Sequence, residues 1–78
     1  MEITRGSVVI AKAGRDKGRA FVVVDLPDCR TALIADGKTR PLERPKRKNI
    51  IHLQATALQV DCIKTNRQLR IILNNDIS

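Results

Sequence analysis

The apolar residues of the chain fall in short bursts separated by glycine, proline and charge, which is the rhythm of strands rather than of long helices. Ser7-Val8-Val9-Ile10-Ala11 is short and β-branched, and predicts a strand buried on much of both faces. Gly14 and Gly18 then bracket Arg15-Asp16-Lys17. Glycine adopts positive φ without a Cβ clash, so residues 13–18 read as the turn of a β-hairpin. The return strand runs from Arg19 to Asp25. In it Ala20, Val22 and Val24 make a wholly apolar face, expected toward the core, against a mixed face of Arg19, Phe21, Val23 and Asp25.

Leu26-Pro27-Asp28 ends that strand, because proline has no N–H for a ladder and Asp favours turns. A third strand is predicted from Thr31 to Ala35. Asp36-Gly37 marks a tight hairpin turn of type I′, with Thr39 to Leu42 pairing back. Pro41 and Pro45 flank Leu42-Glu43-Arg44 and suit an edge or extended connection. Ile50 to Thr56 supplies a further strand, with Ile51, Leu53 and Ala55 alternating against His52 and Gln54.

Beyond Asp61 the period changes. Thr65-Asn66-Arg67-Gln68 has the spacing of a capping box, and Leu69, Ile72 and Leu73 follow at i, i+3 and i+4. A short amphipathic helix from Asn66 to Leu73 is predicted, with Arg67 and Arg70 off its apolar face. Short strands joined by Gly and Pro turns predict an all-β fold, a small barrel whose closure removes exposed edges. Residues 1–56 form the barrel in this reading, and residues 57–78 an extension whose helix packs over one open end of it.

A chain of 78 residues holds one domain with a small core, since proteins this short bury only about 60–65% of the surface their unfolded form exposes. Its hydrophobic content of 42% is that of a folded protein. The net charge of +7 is concentrated in two places. Residues 12–19 carry Lys12, Arg15, Lys17 and Arg19 against Asp16 alone, and residues 38–48 carry Lys38, Arg40, Arg44, Lys46, Arg47 and Lys48 against Glu43 alone. The rest of the chain is close to neutral, so the positive field belongs to two segments and points to a polyanionic partner.

Other chemistries find little support. Cys29 and Cys62 stand far apart with no Cys-x-x-Cys pairing, and His52 has no nearby ligand-type partner, so no metal site or cofactor is recognisable, although a disulfide stays open. His52 also lacks a local nucleophile, and the carboxylates are scattered one by one, which argues against an enzyme and against a small-molecule substrate. Met1 to Gly6 shows no signal pattern, and no apolar run approaches the roughly 20 residues a bilayer requires, so a cytoplasmic protein that does not enter the membrane is expected.

The stretch from Gly6 to Asp36, above all Ala13-Gly14-Arg15-Asp16-Lys17-Gly18-Arg19 after a Val-rich strand, resembles the KOW motif of ribosomal and transcription-elongation proteins, with Gly18 at its hallmark glycine. Ala35-Asp36-Gly37-Lys38, Pro45-Lys46-Arg47-Lys48 and Ile51-His52-Leu53-Gln54 are most similar to the bacterial KOW-domain proteins of the fourteen-e-type large-subunit ribosomal family. The likeness extends from Gly6 to about Thr56, and the carboxy-terminal helix stands on periodicity alone. The resemblance implies an SH3-like barrel that binds structured RNA, ribosomal RNA or the ribosome first among candidates.

Affinity for a nucleic-acid backbone requires Lys and Arg held where phosphates pass. The expected RNA contacts are Lys12, Gly14, Arg15, Lys17, Gly18 and Arg19 of the first basic segment and Lys38, Arg40, Arg44, Lys46, Arg47 and Lys48 of the second, converging at one rim of the barrel. The glycines let the backbone approach closely or aim N–H groups at an anion, or else serve only to close the hairpin. With neither Tyr nor Trp, and Phe21 expected in the core, recognition rests on phosphates, riboses and shape rather than on stacking. Two other readings remain: a transcription-elongation-type KOW module that contacts polymerase or nascent RNA, and a basic barrel that binds an acidic protein.

Overall fold

Strand β1 (Ser7–Ala11), β2 (Ala20–Asp25), β3 (Thr31–Ala35), β4 (Lys46–Asn49) and β5 (Leu53–Gln59) build one antiparallel sheet in the order β4-β3-β2-β1-β5. A 3₁₀ turn at Ile50–His52 joins β4 to β5, and helix α1 (Asn66–Ile77) closes the chain. This computed structural model describes residues 2–60 and 64–77; Cys62, and with it the open question of a disulfide, lies outside them.

The β-branched bursts become central strands because both faces of the sheet are buried. Residues paired across an antiparallel ladder point to the same side. The pairs Val8↔Val22 and Val22↔Ala35 therefore make one apolar row, and Leu69 and Leu73 of α1 pack on it beside Leu42, Leu58 and Val60. The opposite side carries Val9↔Phe21 and Val23↔Ile34, clustered with Ala11, Ala32 and Leu53 and flanked by Ile3, Leu26 and Ile50. Phe21 is a core residue, as expected. The expected division of β2 into a core face and a mixed face is replaced by burial on both sides: Phe21, Val22 and Val23 are all fully buried, while Ala20 and Val24 are only half-buried. A helix on one side and a second apolar cluster on the other leave no solvent face at the middle of the strand.

The capping box forms as read. Thr65 Oγ1 accepts from Gln68 N at 3.1 Å, and Gln68 Oε1 accepts from Thr65 N at 3.2 Å and Lys64 N at 2.9 Å. These bonds satisfy N–H groups that a helix start leaves orphaned. The helix continues past the predicted Leu73 to Ile77, because residues 74–77 hold neither Gly nor Pro to stop it.

Two strand predictions are corrected. Thr39 to Leu42 does not pair back on β3; the basic run Lys46–Asn49 does, with Ile34↔Lys46, Leu33↔Arg47 and Ala32↔Lys48. A type I′ turn needs positive φ at both central residues, yet Gly37 (φ 77) is the one residue of the pair that adopts it, so the tight hairpin is replaced by a longer connection. Ile50 to Thr56 is likewise not one strand. Asn49 Oδ1 accepts from Ile51 N at 3.1 Å and opens the 3₁₀ turn, which leaves Ile51 70% exposed and starts β5 at Leu53. Strand β5 then runs to Gln59, beyond the residue-56 end expected for the barrel.

Leu69 is the buried anchor of α1, so Leu69→Ala should lower stability by about 2–5 kcal/mol, the range for a truncated core leucine. Ile71→Ala, at a half-exposed position of the same helix, should stay within about 0.5 kcal/mol. Urea unfolding midpoints of the two variants check this directly, and equal midpoints would mean that α1 is not docked.

Candidate nucleic-acid interface

Strand direction alternates along β1, β2, β3 and β4, so the β1–β2 turn and the β3–β4 connection emerge at the same end of the sheet. These are the two basic segments. Gly14 (φ 85) and Gly18 (φ 86) shape the first turn, which closes through Gly18 N to Ala11 O at 2.8 Å and Ala11 N to Arg19 O at 3.0 Å. Nothing lies within 4 Å of where a Cβ on Gly18 would stand, so its requirement is conformational. A Cβ on Gly14 would meet Lys48 Nζ at 3.1 Å, which makes Gly14 also a point of close approach.

The second segment is organised by Asp36, whose side chain is nearly buried. One carboxylate oxygen accepts from Lys38 N and Arg40 N, each at 2.8 Å, and the other accepts from Thr39 Oγ1 at 2.7 Å and Arg19 Nη2 at 3.3 Å. Arg40 O in turn accepts from Asp36 N at 2.9 Å and Gly37 N at 3.1 Å. Burial pushes the Asp36 carboxyl up, but the Arg40 and Lys38 amides, the Thr39 hydroxyl and the Arg19 charge together outweigh it and hold the group below the ordinary carboxylate value.

Arg19 and Asp16 tie this loop to the first turn. The Arg19 guanidinium donates to Thr39 Oγ1 at 3.0 Å and pairs with Asp16 Oδ1 at 3.5 Å, while Lys46 Nζ donates to Asp16 Oδ2 at 2.8 Å. The Lys46 hydrogen bond holds the Asp16 carboxyl below its ordinary value; the charges of Lys46, Arg19 and Arg40 add to it, and desolvation opposes them. Lys48 Nζ reaches the Ala13 carbonyl at 3.1 Å. The two basic segments are thus hydrogen-bonded into one surface.

The run Lys46-Arg47-Lys48 does not present itself as a unit, because alternate residues of a strand point to opposite sides. Lys46 and Lys48, opposite Ile34 and Ala32, are half-buried and engaged at the first turn. Arg47 points the other way and pairs with Asp28 Oδ2 of the β2–β3 turn at 3.2 Å. Lys12, Arg15, Lys17, Lys38, Arg40 and Arg44 are exposed and make no side-chain hydrogen bond or ion pair among the described residues. Arg19, although 44% exposed at its side chain, is committed to the two aspartates.

Four positions that sequence reasoning did not assign now matter: Asp16, Asp36, Thr39 and Asn66. The spacing of Asp36, Lys38 and Thr39 is the signature of an Asp side chain closing a turn two and three residues on, and that signal was available. Nothing in the sequence joins Asp16 to Lys46 or Asn66 to residues 42 and 43. Elsewhere, an open cavity of about 330 Å³ lined by Cys29, Arg30, Asn49, Ile50 and Ile51 gathers no acid–base pair. Among the described residues no cluster of His, Cys, Asp and Glu could hold a metal ion, and no helix is long and apolar enough to cross a membrane. No family model and no curated protein matches the chain.

Asp16 and Asp36 both have lowered folded pKa values, so their contribution to stability is complete above the unfolded carboxylate value of about 3.9 and is lost as pH falls through the folded values. Acid should therefore lower the unfolding midpoint progressively between about pH 5 and pH 2. Asp36→Asn should show a visibly flatter pH profile in the same titration. Superimposable profiles would mean that Asp36 is not held by these bonds.

Proposed function

We propose that the chain is a non-catalytic RNA-binding protein, an SH3-like barrel of the KOW type that grips structured RNA, ribosomal or ribosome-associated, through the joined basic loops. The observation that carries this reading is the surface made by Lys12, Arg15 and Lys17 of one loop and Lys38, Arg40 and Arg44 of the other, held side by side by Asp16, Arg19 and Asp36. Cations displayed on two loops that side-chain bonds tie to each other are suited to successive phosphates of a backbone, and each contact gains from released counterions. The single aromatic residue, Phe21, is fully buried, so the surface has no platform for stacked bases and reads phosphate, ribose and shape. Barrel closure is supported by Lys46 and Lys48, which cross from edge strand β4 to the β1–β2 turn, and by an apolar cluster on that side with no second layer over it among the described residues. The KOW resemblance supplies RNA as the polyanion, and a cytoplasmic setting goes with it.

Binding should weaken steeply with salt. If about five phosphates are engaged, the slope of log K against log salt should be roughly −3.5 to −4.5. Lys17→Glu should weaken binding and flatten that slope by about one. Arg30→Glu, a charge reversal in the exposed β2–β3 turn at the far end of the hairpin, should do much less. Filter binding or anisotropy with a folded ribosomal RNA fragment across a salt series measures both, with poly-glutamate as competitor. A salt-insensitive complex, or poly-glutamate competing as well as RNA, would overturn the assignment in favour of an acidic protein partner.

A further inference from the structure

Helix α1 does more than cover the sheet. Its first turn is fastened to the β3–β4 connection, the same segment that displays Lys38, Arg40 and Arg44. Asn66 Oδ1 accepts from Leu42 N at 2.7 Å, and Asn66 Nδ2 donates to the two carboxylate oxygens of Glu43 at 3.2 and 3.1 Å. One turn on, Arg70 Nη1 donates to Gly37 O at 3.2 Å. Gly37 passes so close to the helix start that a Cβ there would collide with the Asn66 carbonyl oxygen and crowd Leu69. The connection is thus gripped from two directions, by Arg19 through Asp36 and Thr39 on the strand side and by Asn66 and Arg70 on the helix side.

The two grips differ in kind. Arg19 and Asp36 fix the tip from Asp36 to Arg40, whereas Asn66 fixes the stretch at Leu42 and Glu43. That stretch lies between Arg40 and Arg44 and between two prolines, neither of which offers an N–H. The backbone bond that Arg44 N makes to Pro41 O at 2.9 Å closes a single local turn, and Asn66 anchors it to the rest of the fold. Free of that anchor, the turn that carries Arg44 would sample many arrangements and binding would have to order it, whereas Arg40 keeps its own backbone bonds to Asp36 and Gly37.

We propose that Asn66 is a positioning residue for RNA binding, holding Arg44 in register with Arg40 and the first basic turn, so that docking of α1 sets the affinity of a surface whose cations all lie outside the helix. This rests on the RNA-binding reading above. It gives α1 a regulatory place as well: whatever displaces the helix start loosens the RNA site without touching a phosphate contact.

The test uses full-length chains bearing Asn66→Ala, Asn66→Asp, Glu43→Ala and the charge-neutral exchange Asn66→Asp with Glu43→Gln, each assayed for RNA affinity and salt slope beside Lys17→Glu. Asn66→Ala should weaken binding about threefold to tenfold, the scale of one or two hydrogen bonds, and flatten the slope although every Lys and Arg is retained. Asn66→Asp sets two carboxylates against each other and should do at least as much. The exchange rebuilds the pair with donor and acceptor reversed and should recover affinity and slope together. Glu43→Ala separates positioning from bulk charge: removing an acid beside Arg40 and Arg44 raises general attraction for RNA, yet positioning requires binding to weaken. Glu43 is exposed, and such a substitution shifts stability by only about ±0.5 kcal/mol, so Glu43→Ala decides the matter should either Asn66 variant fail to fold. Native or tighter binding by Asn66→Ala or Glu43→Ala, or an exchange that recovers nothing, overturns the positioning role while a weakened Lys17→Glu leaves the RNA reading standing. Unchanged binding by Lys17→Glu as well overturns the RNA reading itself.

Discussion

Two cationic loops emerge from the same end of one small sheet, and their mutual repulsion is the constraint around which the rest of this structure is arranged. Like charges about 8 Å apart repel by roughly 0.5 kcal/mol in water and about 2 kcal/mol in the intermediate dielectric of a protein surface. Ten basic residues in segments 12–19 and 38–48 would therefore splay the loops if nothing opposed them. Asp16 and Asp36 stand where the loops meet, and Arg19 bridges both. Each aspartate also closes or steadies backbone, Asp36 through two main-chain amides and Asp16 through the turn that its own carbonyl shares with Arg19 N. Two carboxylates thereby convert a repulsive pair of loops into a single surface.

The sheet beneath is built to hold that end still. Its three middle strands are apolar on both sides, so the turns leave a rigid frame rather than a flexible edge. Strand β4 is the exception, since Lys-Arg-Lys-Asn has little of its own to bury. It is a strand because β3 pairs with it along its length and because the ammonium groups of Lys46 and Lys48 find acceptors across the sheet. Long Lys stems can lie along apolar surface while the charged tip reaches a polar group, and Lys46 and Lys48, beside Ile34 and Ala32, are placed to do so. A segment that composition alone would assign to a solvated loop becomes an edge strand through tertiary partners.

What the sequence made legible follows from which signals are local. Ser7–Ala11, Thr31–Ala35, the Gly14 and Gly18 turn and the Thr65/Gln68 capping box are decided within a few residues, and each stands where its pattern places it. The β4 assignment and the 3₁₀ turn at Ile50–His52 were not legible, because one depends on distant acceptors and the other on an Asn49 side chain that outcompetes strand pairing for the Ile51 amide. The clustering of charge in two segments was plain, and so was their meeting at one end, given alternating strand direction. Hidden was the division of labour within them. Asp16, in the sequence only the lone acid of the first basic segment, is the acceptor shared by Lys46 and Arg19, and Arg70, expected off the apolar face, is bonded to Gly37.

That division changes how charge should be counted in a small basic protein. Of the cations in the two segments, Lys46, Lys48 and Arg19 are spent on joining the loops and Arg47 on Asp28, so the charge that meets a partner is set by geometry and is smaller than composition suggests. Committed cations still act at a distance, because an ion pair is a dipole rather than a void, but they are not free to follow a phosphate. On the RNA-binding reading proposed above, specificity would have a physical source without a single base contact. Loops whose backbone is fixed by Asp36, Asp16 and Asn66 would offer their six exposed cations to a backbone of one curvature better than another, whereas the same six on mobile loops would adapt to any. Rigidity, supplied by uncharged and acidic residues, would on that reading turn a general attraction for polyanions into a preference for shape.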